Sequence, residues 1–229
     1  MAPRTSPQSR NSSMAPMTLA RTVPQCPADD ADVEQFDRWA LRYERSKWQK
    51  LHFDRVHGRA FGLAARFDPP NTILDVGCGT GRLLRAARRR WPDARLVGVD
   101  PSAGMIRAAT AMTPADFHVA GAEAIPIPDR SIDLAFSTIA FHHWSDPERG
   151  LREIARVLRP GGGLVIIDNL GPNWLAPYLK DRAYLTPEER AALWTKAGLR
   201  VLEQRRVVIL PVFLPFLLAT VATRGDGPA

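Results

Sequence analysis

The sequence predicts an α/β protein with a doubly wound, mostly parallel sheet covered by helices on both faces. Three observations support this fold class. Apolar runs of strand length alternate with helical stretches from residue 72 onward. Most of these runs are nearly continuous in Val, Ile and Leu, as in strands buried on both faces. A glycine-rich turn also joins the first strand to the helix after it, and such alternation is typical of parallel sheets.

The elements follow in a regular order. Apolar residues spaced three and four apart predict a helical segment from Ala31 to about Phe67, which turn residues 68–71 end. The predicted strands are residues 72–77, 95–100, 116–121, 131–139, 163–168, 199–208 and 216–223. The predicted helices after the first strand are residues 81–91, 102–112, 148–160 and 186–198. Pro160 closes the third of these, and residues 160–163 are predicted to be a turn.

A chain of 229 residues is long enough for one domain with an extension. Residues 1–30 are rich in Pro, Ser and Ala and lack the apolar run of a signal peptide, so we predict a disordered tail. Residues 31–67 are predicted to form a helical lid, and residues 68–224 the main domain. The apolar stretch Val207–Ala222 is shorter than the ~20 residues of a spanning helix and contains two prolines, so we expect no membrane span.

Cysteine content and charge restrict the functional class. Cys26 and Cys78 are too few for a disulfide framework, which favours a reducing, cytoplasmic location. The net charge of +7 is compatible with nucleic-acid binding, but the arginines are spread along the chain. The tightest cluster, Arg85 with residues 88–90, lies near the end of a predicted helix, where cations meet the negative end of the helix dipole. We therefore expect no nucleic-acid partner.

The stretch ILDVGCGTGRL, residues 73–83, predicts a ligand-binding turn. Glycines permit a sharp turn and close approach of a ligand, and free N–H groups at the start of the next helix face that ligand. A dinucleotide loop, Gly-x-Gly-x-x-Gly, would place its third glycine at Arg82. No Gly-Lys-Ser/Thr follows, which excludes a P-loop. The spacing therefore disfavours a ligand with a pyrophosphate.

Asp100 ends the second predicted strand beside this turn. A carboxylate at that position of a doubly wound sheet is well placed to accept hydrogen bonds from ribose hydroxyls. The run Asp100-Pro101-Ser102 is also a good helix start, and Ser102 can cap the helix while Asp100 binds a ligand.

Four segments together resemble the successive motifs of class I S-adenosylmethionine-dependent methyltransferases, in particular the small-molecule branch that includes quinone-biosynthesis methyltransferases. They are Ile73–Gly81, Val97–Met105, Gly121–Trp144 and Leu151–Asp168. The likeness covers the chain from Asn71 to Asp168. It implies a Rossmann-like, seven-stranded sheet with an antiparallel last strand, an N-terminal helical lid and S-adenosyl-L-methionine as the cofactor, without a metal.

The resemblance also implies roles for residues of the glycine loop and the second strand. Gly77, Gly79 and Gly81, with Cys78 among them, would line the methionine part of the cofactor. Asp75 would reach its ammonium group directly or through water.

For the nucleoside, the resemblance assigns the ribose hydroxyls to Asp100, with Pro101 and Ser102 next to it. Met105 would pack on adenine, which suits a polarisable thioether.

Further along the chain, the resemblance assigns the adenine edge to Ala122 and Glu123. Ser137 and Thr138 would lie beside the sulfonium, and Tyr43 would be an aromatic lid residue.

His142 and His143 follow the fourth predicted strand, where a substrate enters in the resembling family. Their ordinary pKa suits proton removal near neutral pH, so they are the candidate catalytic residues, with His143 slightly favoured over His142. The alternative is that both only shape the pocket. Asp168 and Asn169 end the fifth predicted strand, and either touch substrate or form a turn.

The acceptor is constrained only weakly. Residues 137–141 lack the Asp/Asn-Pro-Pro-Tyr/Phe motif of enzymes that methylate a DNA amino group. Aromatic residues before and after the main motifs suggest an enclosed pocket for a small, partly apolar acceptor, although they are equally explained as core packing: Trp39, Tyr43, Trp48, Phe53, Trp174 and Tyr178. We expect O- or C-methylation by a monomer or homodimer. An RNA or protein methyltransferase and a non-catalytic cofactor-binding regulator remain alternatives.

Overall fold

A computed structural model describes residues 33–34, 36–37, 47–169, 187–207 and 217–225. The predicted tail and four of the residues singled out above lie outside these ranges: Trp39, Tyr43, Trp174 and Tyr178. Predictions for them are therefore not tested by the structure.

The strands are β1 (Thr72–Val76), β2 (Arg95–Asp100), β3 (Asp116–Val119), β4 (Ile132–Thr138), β5 (Leu158–Asn169), β6 (Leu199–Val207) and β7 (Leu217–Arg224). The helices are α1 (Lys47–Ala64), α2 (Arg82–Arg90), α3 (Ala103–Met112), α4 (Pro147–Val157) and α5 (Pro187–Lys196), with a 3₁₀ turn at Phe141–His143. All seven predicted strands are present, and their ends differ from the predicted ones by at most two residues, except at the start of β5.

These strands form one sheet in the order β3-β2-β1-β4-β5-β7-β6. β1 pairs in parallel with β2 and β4, and β5 pairs in parallel with β4. β7 is antiparallel to both β5 and β6, so the prediction of an α/β sheet with an antiparallel last strand is confirmed. The order of strands reverses between β1 and β4, and ligands of doubly wound folds bind at such a switch point.

Apolar side chains fill both faces of the sheet. On one face, Val56 and Phe61 of α1 and Leu83 of α2 join the strand residues Ile73 and Phe136 in a buried cluster. On the other face a second cluster joins α4 and α5 to the strands, with Leu74, Val97, Leu151, Ile154 and Trp194 among its members. Each β1 side chain is buried, as the near-continuous apolar run predicted.

The boundary between α4 and β5 differs from the prediction. The helix ends at Val157, and Leu158 has extended dihedral angles. Pro160 disfavours the helical region only for Arg159, so the helix ends earlier than the proline requires. The predicted turn over residues 160–163 lies within β5, where the pairing with β4 jumps from Ile132↔Leu158 to Leu134↔Gly163. The segment is thus an irregularity inside a strand rather than a turn before it.

The helical segment before β1 is also divided differently. Residues 33–34 and 36–37 are helical, and α1 runs from Lys47 to Ala64, ending three residues before Phe67. No helix among the described residues has both the length and the apolar character needed to cross a membrane.

Candidate active site

A cavity opens at the carboxyl edge of β1, β2 and β4, where the strand order reverses. It encloses about 990 Å³, including space open to solvent. The cavity lining includes eleven of the residues predicted as site residues: Asp75, Gly77, Cys78, Gly79, Asp100, Pro101, Met105, Ala122, Glu123, Thr138 and His143. The structure thus brings these eleven residues together on one connected surface. Gly81, Ser102, Ser137 and His142 lie near it but do not line it.

The glycine loop after β1 is held by backbone hydrogen bonds. The N–H groups of Gly77 and Cys78 both donate to the carbonyl of Val99 in β2, at 2.9 and 3.0 Å. Gly77 has φ +75°, and a Cβ atom there would lie 2.4 Å from the Cβ of Ala140. Glycine is therefore required at position 77 both by the backbone conformation and by the close approach of the turn after β4.

Asp75 lies beneath this loop with 2% of its surface exposed. Its Oδ1 has no hydrogen-bond partner among the described residues. Burial, together with the charge of Asp100, raises the pKa of Asp75 from 3.8 to about 8. A buried acceptor with no donor is costly, so this oxygen fits a ligand that brings a donor or a positive charge into the cavity.

Asp100, at the end of β2, is the second buried carboxyl group of the cavity. Its Oδ2 accepts a hydrogen bond from the N–H of Gly79 at 2.9 Å, and its Oδ1 accepts one from the N–H of Ser102 at 2.9 Å. Burial raises its pKa, although both hydrogen bonds act in the opposite direction. Each carboxylate oxygen can accept a further hydrogen bond, so the fixed position of Asp100 leaves capacity for hydroxyl donors.

The other side of the cavity is formed by α3 and by the segment after β3. Ser102 caps α3, because its Oγ accepts a hydrogen bond from the N–H of Met105 at 3.0 Å. Met105 itself lines the cavity together with Ala122. Glu123 also lines the cavity, but its Oε1 accepts hydrogen bonds from Ser145 Oγ and from the N–H of Asp146. That carboxylate therefore fixes the start of α4 as well as facing the ligand space.

At the end of β4, the two predicted neighbours point differently. Thr138 lines the cavity, whereas Ser137 is fully buried away from it and its Oγ has no partner within the described part of the chain. Side chains alternate along a strand, which explains the difference. The next two residues, Ile139 and Ala140, line the cavity instead.

The two histidines have different surroundings. Asp168, with 0% exposure, accepts a hydrogen bond from the N–H of His142 at 2.8 Å, and its Oδ1 lies 2.6 Å from His142 Nδ1. An ionised Asp168 keeps the proton on Nδ1 of a neutral His142 ring. His143 lines the cavity, with its ring centroid 4.0 Å from that of His142 and 5.4 Å from that of Phe36. His142 therefore packs behind His143, and His143 faces the ligand space.

Several residues of the cavity were missed by the sequence interpretation. Phe36 and His57 from the segment before β1, and Arg82 at the start of α2, all line it. Phe53, which the sequence interpretation proposed as part of a lid, lines it as well. His57 is 4% exposed, and burial lowers its pKa to about 4, so it is neutral at physiological pH. The regular spacing of apolar residues placed His57 on a helix, but spacing does not tell which neighbour a helix face meets.

The fold, the glycine loop and the two strand-end carboxyl groups resemble those of a class I S-adenosylmethionine-dependent methyltransferase domain. Residues 74–166 match the family model for the methyltransferase domain, and the cofactor of that class is S-adenosylmethionine. The resemblance stated above is thereby confirmed for this part of the chain.

Two curated relatives are enzymes of this class. Malonyl-acyl-carrier-protein O-methyltransferase of Hahella chejuensis is 42% identical over 111 residues, which is 47% of this chain and 40% of that protein. Demethylmenaquinone methyltransferase of Thermotoga maritima is 37% identical over 149 residues, or 60% of this chain and 61% of that protein. The chain therefore covers less than two thirds of the length of either relative.

Among solved structures, the 4+2 cyclase SpnF matches with a TM-score of 0.70 and 18% identity, over 90% of this chain and 99% of SpnF. At that identity the likeness concerns the fold alone. Because SpnF is named as a cyclase, the fold by itself does not specify methyl transfer.

Proposed function

We propose that this protein transfers a methyl group from S-adenosylmethionine to an oxygen or carbon atom of a small, partly apolar acceptor. The observation that carries the proposal is the carboxyl group of Asp75, which lines the cavity and whose buried Oδ1 has no donor among the described residues, while Asp100 is held by the N–H of Gly79. The ammonium of the methionine part is suited to the first carboxylate, and the ribose hydroxyls are suited to the second.

The cofactor supplies an electrophilic methyl group, and the chain supplies position. Asp75, Asp100 and the glycine loop would hold the donor, and the walls beyond Thr138 would position the acceptor for transfer. Ile139, Ala140 and Trp144 give that side of the cavity an apolar character. A small acceptor with an apolar part fits this lining better than a strongly charged one.

His143 is the proposed general base for an acceptor that is still protonated at working pH. It lines the cavity, and its neighbour His142 is anchored by the buried Asp168. This arrangement keeps the His143 ring against a fixed partner, and a general base acts only when it is held within hydrogen-bond reach of the proton that it takes. An acceptor that is already ionised would not need this step.

The chemistry of the named relatives supports this class of acceptor without identifying it. One is named for a quinone precursor and the other for a malonyl group on a carrier protein. We propose a cytoplasmic monomer or homodimer, with a small molecule as the acceptor and no nucleic acid.

The test uses methyl-labelled S-adenosylmethionine, an extract of the source cells, and the wild-type protein beside an Asp100→Ala variant. Labelled material is separated by organic extraction, nuclease treatment and protease treatment. Label in organic-soluble compounds that depends on wild-type protein supports the proposal and yields a compound to identify. Label released by nuclease or protease would overturn the small-molecule assignment in favour of an RNA or protein acceptor. Cofactor binding without any transfer would favour the regulator alternative.

A further inference from the structure

Phe36 and Asp37 connect the segment before α1 to the cavity. Phe36 lines the cavity and meets the ring of His143 edge to face, with centroids 5.4 Å apart. Both residues are half-buried although they lie far from the glycine loop in sequence. Phe36 therefore forms part of the wall that a bound ligand touches.

The carboxylate of Asp37 docks on the first turn of α3. Its Oδ1 accepts a hydrogen bond from Ser102 Oγ at 2.5 Å and another from the N–H of Gly104 at 2.7 Å. These bonds favour the ionised form and lower the pKa of Asp37, and the nearby Arg107 adds to the effect. A negative group is stabilised at this end of a helix, where free N–H groups point outward.

The docking position is the turn that also holds the ribose and adenine residues. Ser102 donates its backbone N–H to Asp100 and accepts the N–H of Met105 on its side chain. Asp37 thus binds Ser102, which is hydrogen-bonded both to Asp100, the proposed ribose residue, and to Met105, the proposed adenine residue.

Gly104 leaves the space that this contact needs. A Cβ atom at position 104 would lie 2.9 Å from the Cα, the carbonyl oxygen and the Oδ1 of Asp37. Two of these are backbone atoms, so a larger residue would push the segment away rather than turn a side chain aside. The backbone of Asp37 approaches α3 closely only because position 104 is glycine.

We propose that Asp37 is a positioning residue of the active site, which holds Phe36 against the bound cofactor by docking on Ser102 and Gly104. The inference rests on the proposed function, because it takes S-adenosylmethionine as the occupant of the cavity. Asp37 acts through Phe36 and through the turn at Asp100, and does not itself line the cavity.

The experiment measures the affinity and dissociation rate of S-adenosylhomocysteine on the full chain. We expect Asp37→Ala to weaken binding about tenfold, mainly by faster dissociation, because two hydrogen bonds to a charged group are lost. Gly104→Ala should weaken binding to a similar degree by excluding Asp37. Asp37→Asn should stay within about threefold of the wild type, since both bonds end on Oδ1 and an amide oxygen can accept them.

A double-mutant cycle separates positioning from loss of structure. If Asp37 acts through Phe36, the losses of the two single variants should not add. The Phe36→Ala/Asp37→Ala double variant should then bind S-adenosylhomocysteine no more than about twofold less tightly than whichever single variant binds it less tightly. Gly62→Ala is the control for Gly104→Ala, because Gly62 is also helical but is exposed, and a Cβ there meets no atom within 4 Å.

Each outcome bears on one proposal. Wild-type affinity and dissociation rate in both Asp37→Ala and Gly104→Ala, with a wild-type protein that binds S-adenosylhomocysteine, would overturn the inference. Fully additive losses in the cycle would overturn the role of Phe36. A wild-type protein that does not bind S-adenosylhomocysteine would instead overturn the proposed function.

Discussion

The replacement Asp75→Asn tests the electrostatics of the site in the protein without a ligand. The folded state holds the proton of Asp75 up to about pH 8, whereas the ordinary pKa of the group is 3.8. The unfolded chain therefore ionises this carboxyl group first as the pH rises. The contribution of Asp75 to stability is present below pH 3.8 and is lost as the pH rises through the folded-state pKa.

The size of the effect follows from the pKa difference. Each pH unit between the two pKa values lowers the free energy of unfolding by about 1.4 kcal/mol. From pH 5 to pH 8, the wild type should therefore lose about 4 kcal/mol relative to Asp75→Asn, which has no proton to release. Asp75 is almost fully buried, so solvent screening reduces this figure little.

Urea unfolding followed by tryptophan fluorescence gives the free energy of unfolding at each pH. The variant Asp68→Asn serves as a control for the replacement of an aspartate by asparagine, because Asp68 lies on an exposed loop. A wild-type minus Asp75→Asn difference that varies by less than about 1 kcal/mol over this range would refute the reasoning.

Ligand binding should show the opposite trend with pH. A positively charged ammonium binds the ionised Asp75, and the ionised fraction rises about tenfold per pH unit below the pKa. The affinity of wild-type protein for S-adenosylhomocysteine should therefore rise between pH 6 and pH 8, and this rise should be much smaller in Asp75→Asn. Any pH dependence of the affinity that remains in Asp75→Asn would be attributed to Asp100, whose pKa is also raised by burial.

Three further replacements test separate parts of the site. In urea unfolding, Gly77→Ala should destabilise the fold by about 1–3 kcal/mol more than Gly79→Ala. Both positions need a left-handed backbone, but only a Cβ at position 77 meets Ala140. Equal losses of stability in the two variants would contradict the steric argument. Asp100→Ala should raise the calorimetric dissociation constant of S-adenosylhomocysteine at least tenfold, and an unchanged constant would exclude the ribose assignment. Once an acceptor is known, His143→Ala should lower turnover by about a hundredfold if the residue is the base, whereas a loss below about fivefold would remove that role.

The sheet and the cofactor side of the site were accessible from the sequence because both depend on local pattern. Each strand was predicted from an apolar run in the sequence. Asp75 and Asp100 lie at or near the carboxyl ends of two such strands, which are neighbours in the sheet. Parallel strands bring those ends to one edge, so two residues 25 positions apart in sequence line one cavity.

Other parts of the site depend on packing between distant segments, which local pattern does not contain. Asp37 meets Ser102 across 65 residues, and no feature of the sequence around residue 37 distinguishes it from an exposed helical carboxylate. Asp168 was expected to touch substrate or form a turn, whereas the structure places its carboxylate against His142. The end of α4 was misplaced because Pro160 was taken as the stop, whereas the helix already ends at Val157, before the one residue that the proline restricts.

The turn after β4 lies between the glycine loop and the two histidines of the cavity. Ile139 is β-branched and has φ +53°, a conformation that costs about 1–3 kcal/mol and persists only when the surroundings impose it. Its N–H donates to the carbonyl of Ile167 at 2.8 Å, and Asp168, the next residue of β5, holds His142. Between these two anchors, Ala140 fills the space that a side chain at Gly77 would occupy. The strained turn therefore fits against the glycine loop on one side and leads directly into the segment of His142 and His143 on the other.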